Sequence, residues 1–315
     1  MRRVVVTGMG IVSPVGNDID TAWQNICEGR SGIGPITEID ASEFATQIAG
    51  EVRDFNIGDF ISPRDARRMD TFMHYGIAAS VNAVKDSGLE VTEENSHRIG
   101  VAMGAGIGGL ATIEDNHNKY LSGGARKVSP FFIPGSIINM TSGNVSIMYG
   151  MTGPNLSNVT ACATSTHSIG IAARSVMHGD ADVMLAGGSE YATTVLSLGG
   201  FCSARAMTTR NDEPEKASRP FDRDRDGFVL SNGAGCMIIE ELEHAKARGA
   251  KIYAELLGFG MSGDAFHITS PPEDGEGAQG RCDNDETCAD ILAPACGAVR
   301  RHISHEGSGL CRRYG

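Results

Sequence analysis

Four short apolar runs alternate with helix-like patterns between residues 2 and 241, and this alternation is the feature that most constrains the fold. The runs are RRVVVTG, RIGVAMG, ADVMLAGG and GCMIIEE. Short apolar runs bounded by turn residues are typical of buried β-strands. Strands that alternate with helices predict an α/β fold. Glycine accounts for 41 of the 315 residues, which indicates many tight turns and close backbone approaches.

Two segments carry a clear helical pattern. The stronger one runs from Arg64 to about Asp86 and is followed by Gly88 as a stop. Its apolar positions are Met69, Phe72, Met73, Ile77, Val81 and Val84. The second helix is predicted after Cys162 and ends at Gly179. Its apolar positions are Ile169, Ile171, Ala172, Val176 and Met177. One face of each helix is expected to be buried.

Cys162 lies at a predicted turn between the segment GPNLSNVTA and the second helix. That segment, the helix and the run ADVMLAGG form a strand, helix, strand unit, which normally makes parallel strands. The cysteine would then lie at the carboxyl end of a strand, where open α/β sheets place their chemistry. The helix N-terminus favours thiolate over thiol, which suits a nucleophile. The alternative is a buried packing residue in an Ala-Cys-Ala run.

Composition and charge narrow the class of protein. A formal net charge of −12 argues against nucleic acid or an anionic membrane as the main partner. No apolar stretch reaches the roughly 20 residues needed to span a bilayer, and no export signal is predicted. We therefore expect a soluble cytoplasmic protein with reduced thiols.

Two glycine-rich or acidic motifs imitate known binding sites. GAGIGG has the glycine spacing of a dinucleotide fingerprint, which would suit an NAD-dependent oxidoreductase, but no acidic residue ends a second strand about 20 residues later. Its glycines are Gly104, Gly106 and Gly109. DRDRDG imitates a calcium loop, but Gly233 stands at the twelfth position, where a glutamate is required. Its acidic residues are Asp222, Asp224 and Asp226. Neither motif predicts a ligand.

The composition changes at about Arg281. Lysine disappears, and no helix or strand period persists after this point. The last 34 residues contain four of the eight cysteines, Cys282, Cys288, Cys296 and Cys311. With His302 and His305 they could be taken for zinc ligands, but without a Cys-x-x-Cys pair we expect no metal site.

The segment TACATSTHSIG around Cys162 resembles the active-site segment of the β-ketoacyl-[acyl carrier protein] synthases. The similarity continues through GGSE, TTRNDEPEKASRPFDRDRDGFVLSNGAG and EELEHAKARGAKIYAELLGFGMSGDAFHITSPPEDGEGA, from Met1 to about Ala278. DAFHITSPP is similar to the synthase II type. The resemblance implies a thiolase-like layered α-β-α-β-α fold, with the N-terminal half complete and the C-terminal half largely missing. It also implies decarboxylative condensation of malonyl with acyl groups in fatty acid elongation.

The resemblance implies roles for residues around the cysteine. Cys162 would take the acyl chain from phosphopantetheine, and its backbone N–H would donate to the thioester oxyanion. Ile107 would lie at the inner end of an acyl tunnel. Phe132 would contribute to the tunnel from a neighbouring subunit, and Phe201 would lie beside the cysteine. Ordinary core packing is the alternative for these three.

Three further substrate-binding residues follow from the DAFHITSPP segment. His267 resembles a residue near the family's pocket, and Thr269 and Ser270 would contact pantetheine. His167 follows Cys162 by five residues, so a helix would turn it away from the cysteine. We therefore expect His167 to be a structural, hydrogen-bonded residue.

The partner implied by the resemblance is acyl carrier protein, which is strongly acidic. Arg64, Arg67 and Arg68 recur at three- and four-residue spacing on one face of the first predicted helix. With Arg205 they match the family's carrier-docking positions. The alternative is that these arginines form a solvent-exposed helix face that binds no partner. No resident cofactor is expected, because phosphopantetheine arrives on the carrier, and we expect a homodimer if the chain folds.

The sequence departs from the family at the groups that assist condensation. The His-Gly-Thr motif, the Lys-containing segment ending in Gly-His and the Gly-Phe-Gly-Gly loop are not present. The simplest hypothesis is a shifted reading frame near codon 280. The predicted regions are 1–252 with the nucleophile, 253–280 as the start of the C-terminal half, and 281–315 as an atypical tail.

Two interpretations of the function stay open. The first is a synthase that performs the condensation. The second is an acyl-carrier-binding chain that self-acylates without condensing, or an inactive fragment. Apolar surface left uncovered by the missing half predicts low solubility or aggregation.

Overall fold

A six-stranded mixed sheet organises the first 255 residues of the computed structural model, which describes residues 1–267 and 269–275. The strands are β1 (Val4–Val12), β2 (Gly34–Pro35), β3 (Ile48–Ala49), β4 (Ile99–Gly104), β5 (Asn155–Leu156), β6 (Val183–Glu190), β7 (Gly233–Glu241) and β8 (Ala254–Glu255). The helices are α1 (Ile19–Cys27), α2 (Pro63–Ala66), α3 (Thr71–Ser87), α4 (Leu110–Gly123), α5 (Phe132–Ser136), α6 (Met140–Tyr149), α7 (Thr164–His178), α8 (Val195–Ser203) and α9 (Leu242–Ala247). The predicted α/β class and all four predicted strands are confirmed.

The strand order in the large sheet is β5-β4-β6-β7-β1-β8. Strands β5 and β6 both run parallel to β4, whereas β7 is antiparallel to β6 and to β1. The two strands that flank the Cys162 segment are therefore parallel, as predicted, although β4 lies between them. Strand β5 contains only two residues, so most of the segment predicted as a strand before the cysteine lies outside the sheet.

Helices cover both faces of the sheet, and alternate residues of each strand point to opposite faces. Val183 and Leu185 of β6 join α3 residues such as Ile77 in one core cluster. On the other face, a Cβ added at Gly104 would lie 2.4 Å from the methyl group of Thr164 at the start of α7. Glycine at this position therefore lets the helix after the cysteine pack directly on β4.

The helix predicted to begin at Arg64 is two helices, and this start was wrong. Residues 67–70 separate α2 from α3. Asp70 is extended (φ −70°, ψ 159°), and its carboxylate caps α3 by accepting a hydrogen bond from the Phe72 N–H. Its own N–H donates to Gly135 O at 3.1 Å and not to a carbonyl of a preceding turn. A capping side chain therefore starts a new helix here.

The apolar face predicted for this helix is confirmed within α3. Phe72, Met73 and Ile77 are fully buried. The helix ends at Gly88, which has the left-handed conformation (φ +60°) that favours glycine at a helix C-terminus. The second predicted helix is also confirmed: α7 ends at Gly179 (φ +87°).

A buried carboxylate ties the sheet to the segment after it. Glu240 on β7 is fully buried, and both of its oxygens accept hydrogen bonds from the Arg248 guanidinium at 2.7 Å. Thr7 Oγ1 donates to it at 2.8 Å, and His244 Nδ1 lies 2.6 Å away. Burial raises the pKa of Glu240, but hydrogen bonds from Arg248, Thr7 and His244 outweigh this effect and hold the pKa below its usual value.

The chain divides into a first compact unit, Met1–Glu255, and a second unit that begins at Leu256. The predicted region boundaries at 252 and 280 stay predictions. The cysteines and histidines of the tail lie outside the described residues. None of the helices in the described ranges has the length and apolarity needed to cross a membrane.

Candidate active site at the Cys162 turn

Cys162 lies in a single 3-10 turn, Ala161–Ala163, directly before α7. Its side chain is exposed, so it is not the packing residue of the alternative interpretation. The preceding Ala161 has φ +49°, a left-handed conformation that residues other than glycine rarely adopt. The turn therefore presents the thiol at the N-terminal end of a 15-residue helix, where the helix dipole favours negative charge.

Side-chain hydrogen bonds hold this turn on both sides of the cysteine. The hydroxyl of Thr164 accepts from the Thr160 N–H at 2.8 Å and donates to Ala161 O at 2.7 Å. The Asn158 amide donates to Thr164 O at 3.1 Å. Ser168 in turn donates to Asn158 Oδ1 at 2.8 Å. The backbone around the cysteine is thus tied to the first turn of α7.

The glycine-rich loop after β4 binds a carboxylate of the chain itself. The backbone N–H groups of Gly106 and Ile107 donate to Glu190 Oε2 at 2.8 Å, and the N–H of Gly108 donates to Oε1 at 2.9 Å. In a dinucleotide fingerprint such N–H groups would face a pyrophosphate. Glu190 occupies them here, which removes the basis for the oxidoreductase interpretation.

Glu190 was not predicted as a site residue. It ends β6, which is the parallel neighbour of β4, so its side chain reaches the loop that follows β4. Burial raises the pKa of Glu190, the three N–H donors oppose the increase, and the nearby Asp70 adds to it. The signal available in the sequence was a glutamate two residues after the buried run ADVMLAGG.

This loop brings one predicted acyl-binding residue to the cysteine turn. A Cβ added at Gly106 would lie 3.3 Å from Ala161 O, so the two backbones are close neighbours. The side chain of Ile107 is 40% exposed and is not ordinary core. Its predicted role at the end of an acyl tunnel stays a prediction.

The two phenylalanines are partly buried. Phe132 is the first residue of α5. Phe201 lies on α8, packs against a small cluster that includes Leu198, and makes an edge-to-face contact with Phe228 at 5.2 Å. Their predicted contributions to acyl binding stay predictions. A groove of about 350 Å³ is lined by Pro14, Val15, Ser31, Gly32, Ile33, Gly50, Ser218, Val229 and Ser231, and is therefore not the predicted tunnel.

His167, expected to be structural, and His267, predicted to lie near the pocket, occupy different elements. His167 is partly buried on α7. His267 belongs to the second unit, where its Nδ1 accepts hydrogen bonds from the N–H groups of Thr269 at 3.1 Å and Ser270 at 3.2 Å. These three residues are exposed and form a local turn. Their roles near the pocket and at pantetheine stay predictions.

The predicted docking arginines do not share one helix face, and this part of the prediction was wrong. Only Arg64 lies within α2, since the helix ends before Arg67 and the chain then turns toward the Asp70 cap. Arg64 and Arg67 are exposed. The Arg68 guanidinium lies 4.6 Å from the centre of the Phe131 ring. Arg205 is exposed after α8. The docking role itself stays a prediction.

The aspartates of the DRDRDG motif, which resembles a calcium loop, accept hydrogen bonds and pair with side chains of the protein itself. Asp226 accepts a hydrogen bond from Thr208 Oγ1 at 2.6 Å, and Asp222 pairs with Arg219 at 3.1 Å. Within residues 1–267 and 269–275, no group of three or more histidine, cysteine or acidic residues is arranged to hold a metal ion.

Comparison with known proteins identifies the family. A family model described as "Beta-ketoacyl synthase, N-terminal domain" matches residues 1–245. The chain belongs to the β-ketoacyl synthase family. The resemblance inferred from the Cys162 segment is therefore confirmed.

Several relatives of this chain carry the name 3-oxoacyl-[acyl-carrier-protein] synthase 2. The protein from Vibrio harveyi is 56% identical over 308 residues, which cover 98% of this chain and 74% of the relative. The protein from Coxiella burnetii is 57% identical over 276 residues, which cover 88% of this chain and 67% of the relative. The Vibrio alignment therefore extends into the region predicted as an atypical tail.

Solved structures confirm the predicted thiolase-like fold. A β-ketoacyl synthase from Burkholderia phymatum is 33% identical, with a TM-score of 0.81, and the match covers 90% of this chain and 70% of that chain. A type II PKS acyl-carrier protein in complex with its ketosynthase bound to the hexaketide matches with 31% identity and a TM-score of 0.82. That match covers 91% of this chain and 70% of the other.

Proposed function

We propose that this chain acts as a β-ketoacyl-[acyl carrier protein] synthase of fatty acid elongation, with Cys162 as the nucleophile. The observation that carries the proposal is the exposed thiol on a left-handed turn at the N-terminal end of α7. The names of the Vibrio and Coxiella relatives support the reaction and its substrates.

The chemistry divides into two steps. In the first, the Cys162 thiolate attacks the thioester carbonyl of the acylated carrier protein, a new C–S bond forms, the old C–S bond breaks, and the phosphopantetheine sulfur leaves as a thiolate that water then protonates. In the second, malonyl-carrier protein loses carbon dioxide, and the resulting carbanion attacks the acyl carbonyl and releases the Cys162 thiolate. No dissociable cofactor enters either step, because phosphopantetheine is attached to the carrier.

The second candidate function stops after the first step. The two histidine motifs that serve decarboxylation in the family are not in this sequence. Without groups that stabilise the developing enolate, acyl transfer to Cys162 can proceed while condensation fails. This chain would then bind the carrier and trap acyl groups.

The proposed assembly is a cytoplasmic homodimer. Apolar side chains with more than half of their surface exposed recur on α4, α5 and α6, and include Leu121, Ile133 and Ile147. Exposed apolar surface of this kind is typical of protein interfaces. A second copy on these helices would also bring Phe132 toward a neighbouring site.

Intact-mass measurement tests the function. The chain is incubated first with carrier protein that bears an acyl group and then with carrier protein that bears a malonyl group. The intact masses of the chain and of the carrier protein are then measured. A ketoacyl-carrier product identifies a condensing enzyme, and an acylated chain without that product identifies the acyl trap. If the masses of the chain and of the carrier protein both stay unchanged, both candidate functions are contradicted. Carrier protein without an acyl group is the control.

A charge-reversal pair tests the docking arginines. We expect Arg64→Glu/Arg67→Glu to lower kcat/KM for acylation by acyl-carrier protein about ten-fold or more at low salt, because carrier protein is acidic and exposed charges act mainly on association. The measurement is the acylation rate of the chain at several salt concentrations.

Two controls accompany this pair. Arg30→Glu reverses another exposed arginine, outside the predicted docking positions, and should leave the rate unchanged. A small acyl thioester without carrier should acylate the double variant at the unaltered rate. Equal losses with the carrier and with the small thioester would argue against a docking role.

A further inference from the structure

The hydroxyl of Thr164 makes two hydrogen bonds to the backbone that precedes Cys162. It accepts from the N–H of Thr160 and donates to the carbonyl of Ala161, at 2.8 and 2.7 Å. The side chain is buried, with 3% of the residue exposed. Its methyl group faces Gly104 of β4, where a Cβ would approach to 2.4 Å. Thr164 therefore connects the sheet, the helix and the cysteine turn.

The two bonds act on the strained part of the turn. Ala161 has φ +49°, and such a conformation persists only when surrounding contacts hold it. Its carbonyl accepts both from the Thr164 hydroxyl and from the Thr164 backbone N–H. The contact from Thr160 fixes the chain on the other side of Ala161. The hydroxyl thus links the peptide group before Thr160 to the peptide group between Ala161 and Cys162.

The usual hydrogen bonding of a threonine in the first turn of a helix would explain only the bond from Thr164 to Ala161 O. Threonine near a helix N-terminus commonly bonds to a carbonyl three residues earlier, as Thr164 does with Ala161. The hydrogen bond accepted from Thr160 is additional, since Thr160 lies four residues before Thr164 and outside the helix. The arrangement closes a ring of backbone around the cysteine.

We propose that Thr164 is a positioning residue for Cys162. Its hydroxyl holds the left-handed Ala161 turn and so keeps the thiol exposed at the N-terminal end of α7. It does not touch the acyl group. The inference rests on the proposed role of Cys162 as a nucleophile. When the turn relaxes, the sulfur moves away from the helix terminus and out of alignment with an arriving thioester carbonyl.

Three variants and an internal reference test this inference. Thr164→Val keeps the shape and the methyl group but removes the hydroxyl, Thr164→Ser keeps the hydroxyl, and Thr164→Ala removes both groups. Iodoacetamide alkylates exposed thiols, and Cys27 is an exposed cysteine on α1 of the same molecule. Peptide mass mapping gives the ratio of the Cys162 rate to the Cys27 rate, and acylation by acyl-carrier protein is followed in parallel.

The expected result is a loss that the serine variant restores. Thr164→Val and Thr164→Ala should lower the Cys162 to Cys27 alkylation ratio about ten-fold, and acylation at least as much, because a thiol that leaves the exposed turn loses access to the reagent and alignment with the thioester. Thr164→Ser should keep the alkylation ratio and the acylation rate within about two-fold of those of the unaltered chain, because it keeps the hydroxyl that holds the turn. All rates are taken below the unfolding midpoint of each variant.

Ser175→Ala is the matched control. Ser175 lies on the same helix, where its hydroxyl donates to Ile171 O at 3.2 Å, away from the cysteine turn. Its loss should leave the alkylation ratio unchanged. A normal ratio in Thr164→Val, or a serine variant as slow as the valine variant, overturns the inference. Failure of the proposed function can be told apart from failure of this inference. If the function fails, the unaltered chain takes up no acyl group, but the alkylation ratio still shows whether Thr164 positions Cys162.

Discussion

Cys162→Ala is expected to take up no acyl group from acyl-carrier protein, whereas the unaltered chain gains the mass of one acyl group at this residue. Alanine has no nucleophile, so the acyl thioester intermediate cannot form. Cys162→Ser should lower the acylation rate by about a thousand-fold or more, because a hydroxyl is far less ionised than a thiol at neutral pH and removal of a nucleophile is among the largest effects known in enzymes.

The controls for this result come from the other cysteines of the described chain. Cys27→Ala and Cys202→Ala should be acylated at the unaltered rate. Thermal unfolding of Cys162→Ala should match that of the unaltered chain, because an exposed side chain contributes little to folding. An acyl adduct on Cys162→Ala would place the nucleophile elsewhere and end the proposed mechanism.

Glu240→Gln is expected to lower the free energy of unfolding by about 3–5 kcal/mol, because it leaves a guanidinium without its charged partner at a buried site. The two oxygens of Glu240 accept from Arg248, Thr7 and His244, and an amide can replace only some of these acceptors. Urea unfolding followed by circular dichroism measures the loss.

Glu255→Gln is the matched control for this change. Glu255 also pairs with an arginine, Arg3, on the edge of the same sheet, but both groups face solvent. Water can replace the lost contact there, so the expected destabilisation is much smaller. An equal loss in the free energy of unfolding at the two positions would show that the burial of Glu240 does not strengthen its contribution to stability.

The same carboxylate gives a pH dependence with a defined sign. The pKa of Glu240 is lowered in the folded chain, so its stabilising contribution is present above the unfolded-state pKa of about 4.3. That contribution is lost as the pH falls through the folded-state value. The difference in stability between the unaltered chain and Glu240→Gln should therefore be constant near neutral pH and shrink below about pH 4. A difference that grew on acidification would contradict the assignment.

The elements that the sequence predicted well are those set by local pattern. The buried runs in β1, β4, β6 and β7 follow from continuous apolar residues, and the end of α3 follows from Gly88. The predicted start of that helix was wrong because periodicity continued through residues where Asp70 caps a new helix. A capping side chain and a helical period compete locally, and the contact with Gly135 favours the cap.

Cys162 could be selected as a candidate nucleophile from its place between a strand-like segment and a helix. The left-handed conformation of Ala161 could not be predicted, because alanine has no preference for it and neighbouring contacts impose it. The role of Thr164 in the turn was missed for the same reason. Its two hydrogen bonds exist only once the turn has formed.

By itself, the sequence determined the α/β class and the family and singled out Cys162 as the candidate nucleophile, because these follow from local patterns and from motifs that are contiguous in the chain. Only the tertiary structure decided that Glu190 occupies the glycine-rich loop, since this depends on β4 and β6 becoming parallel neighbours across 78 intervening residues. It also decided that Arg64 and Arg67, two of the predicted docking residues, lie on a helix and in the turn after it and not within one helix. Contacts between distant segments have no local signature, so folding alone establishes them.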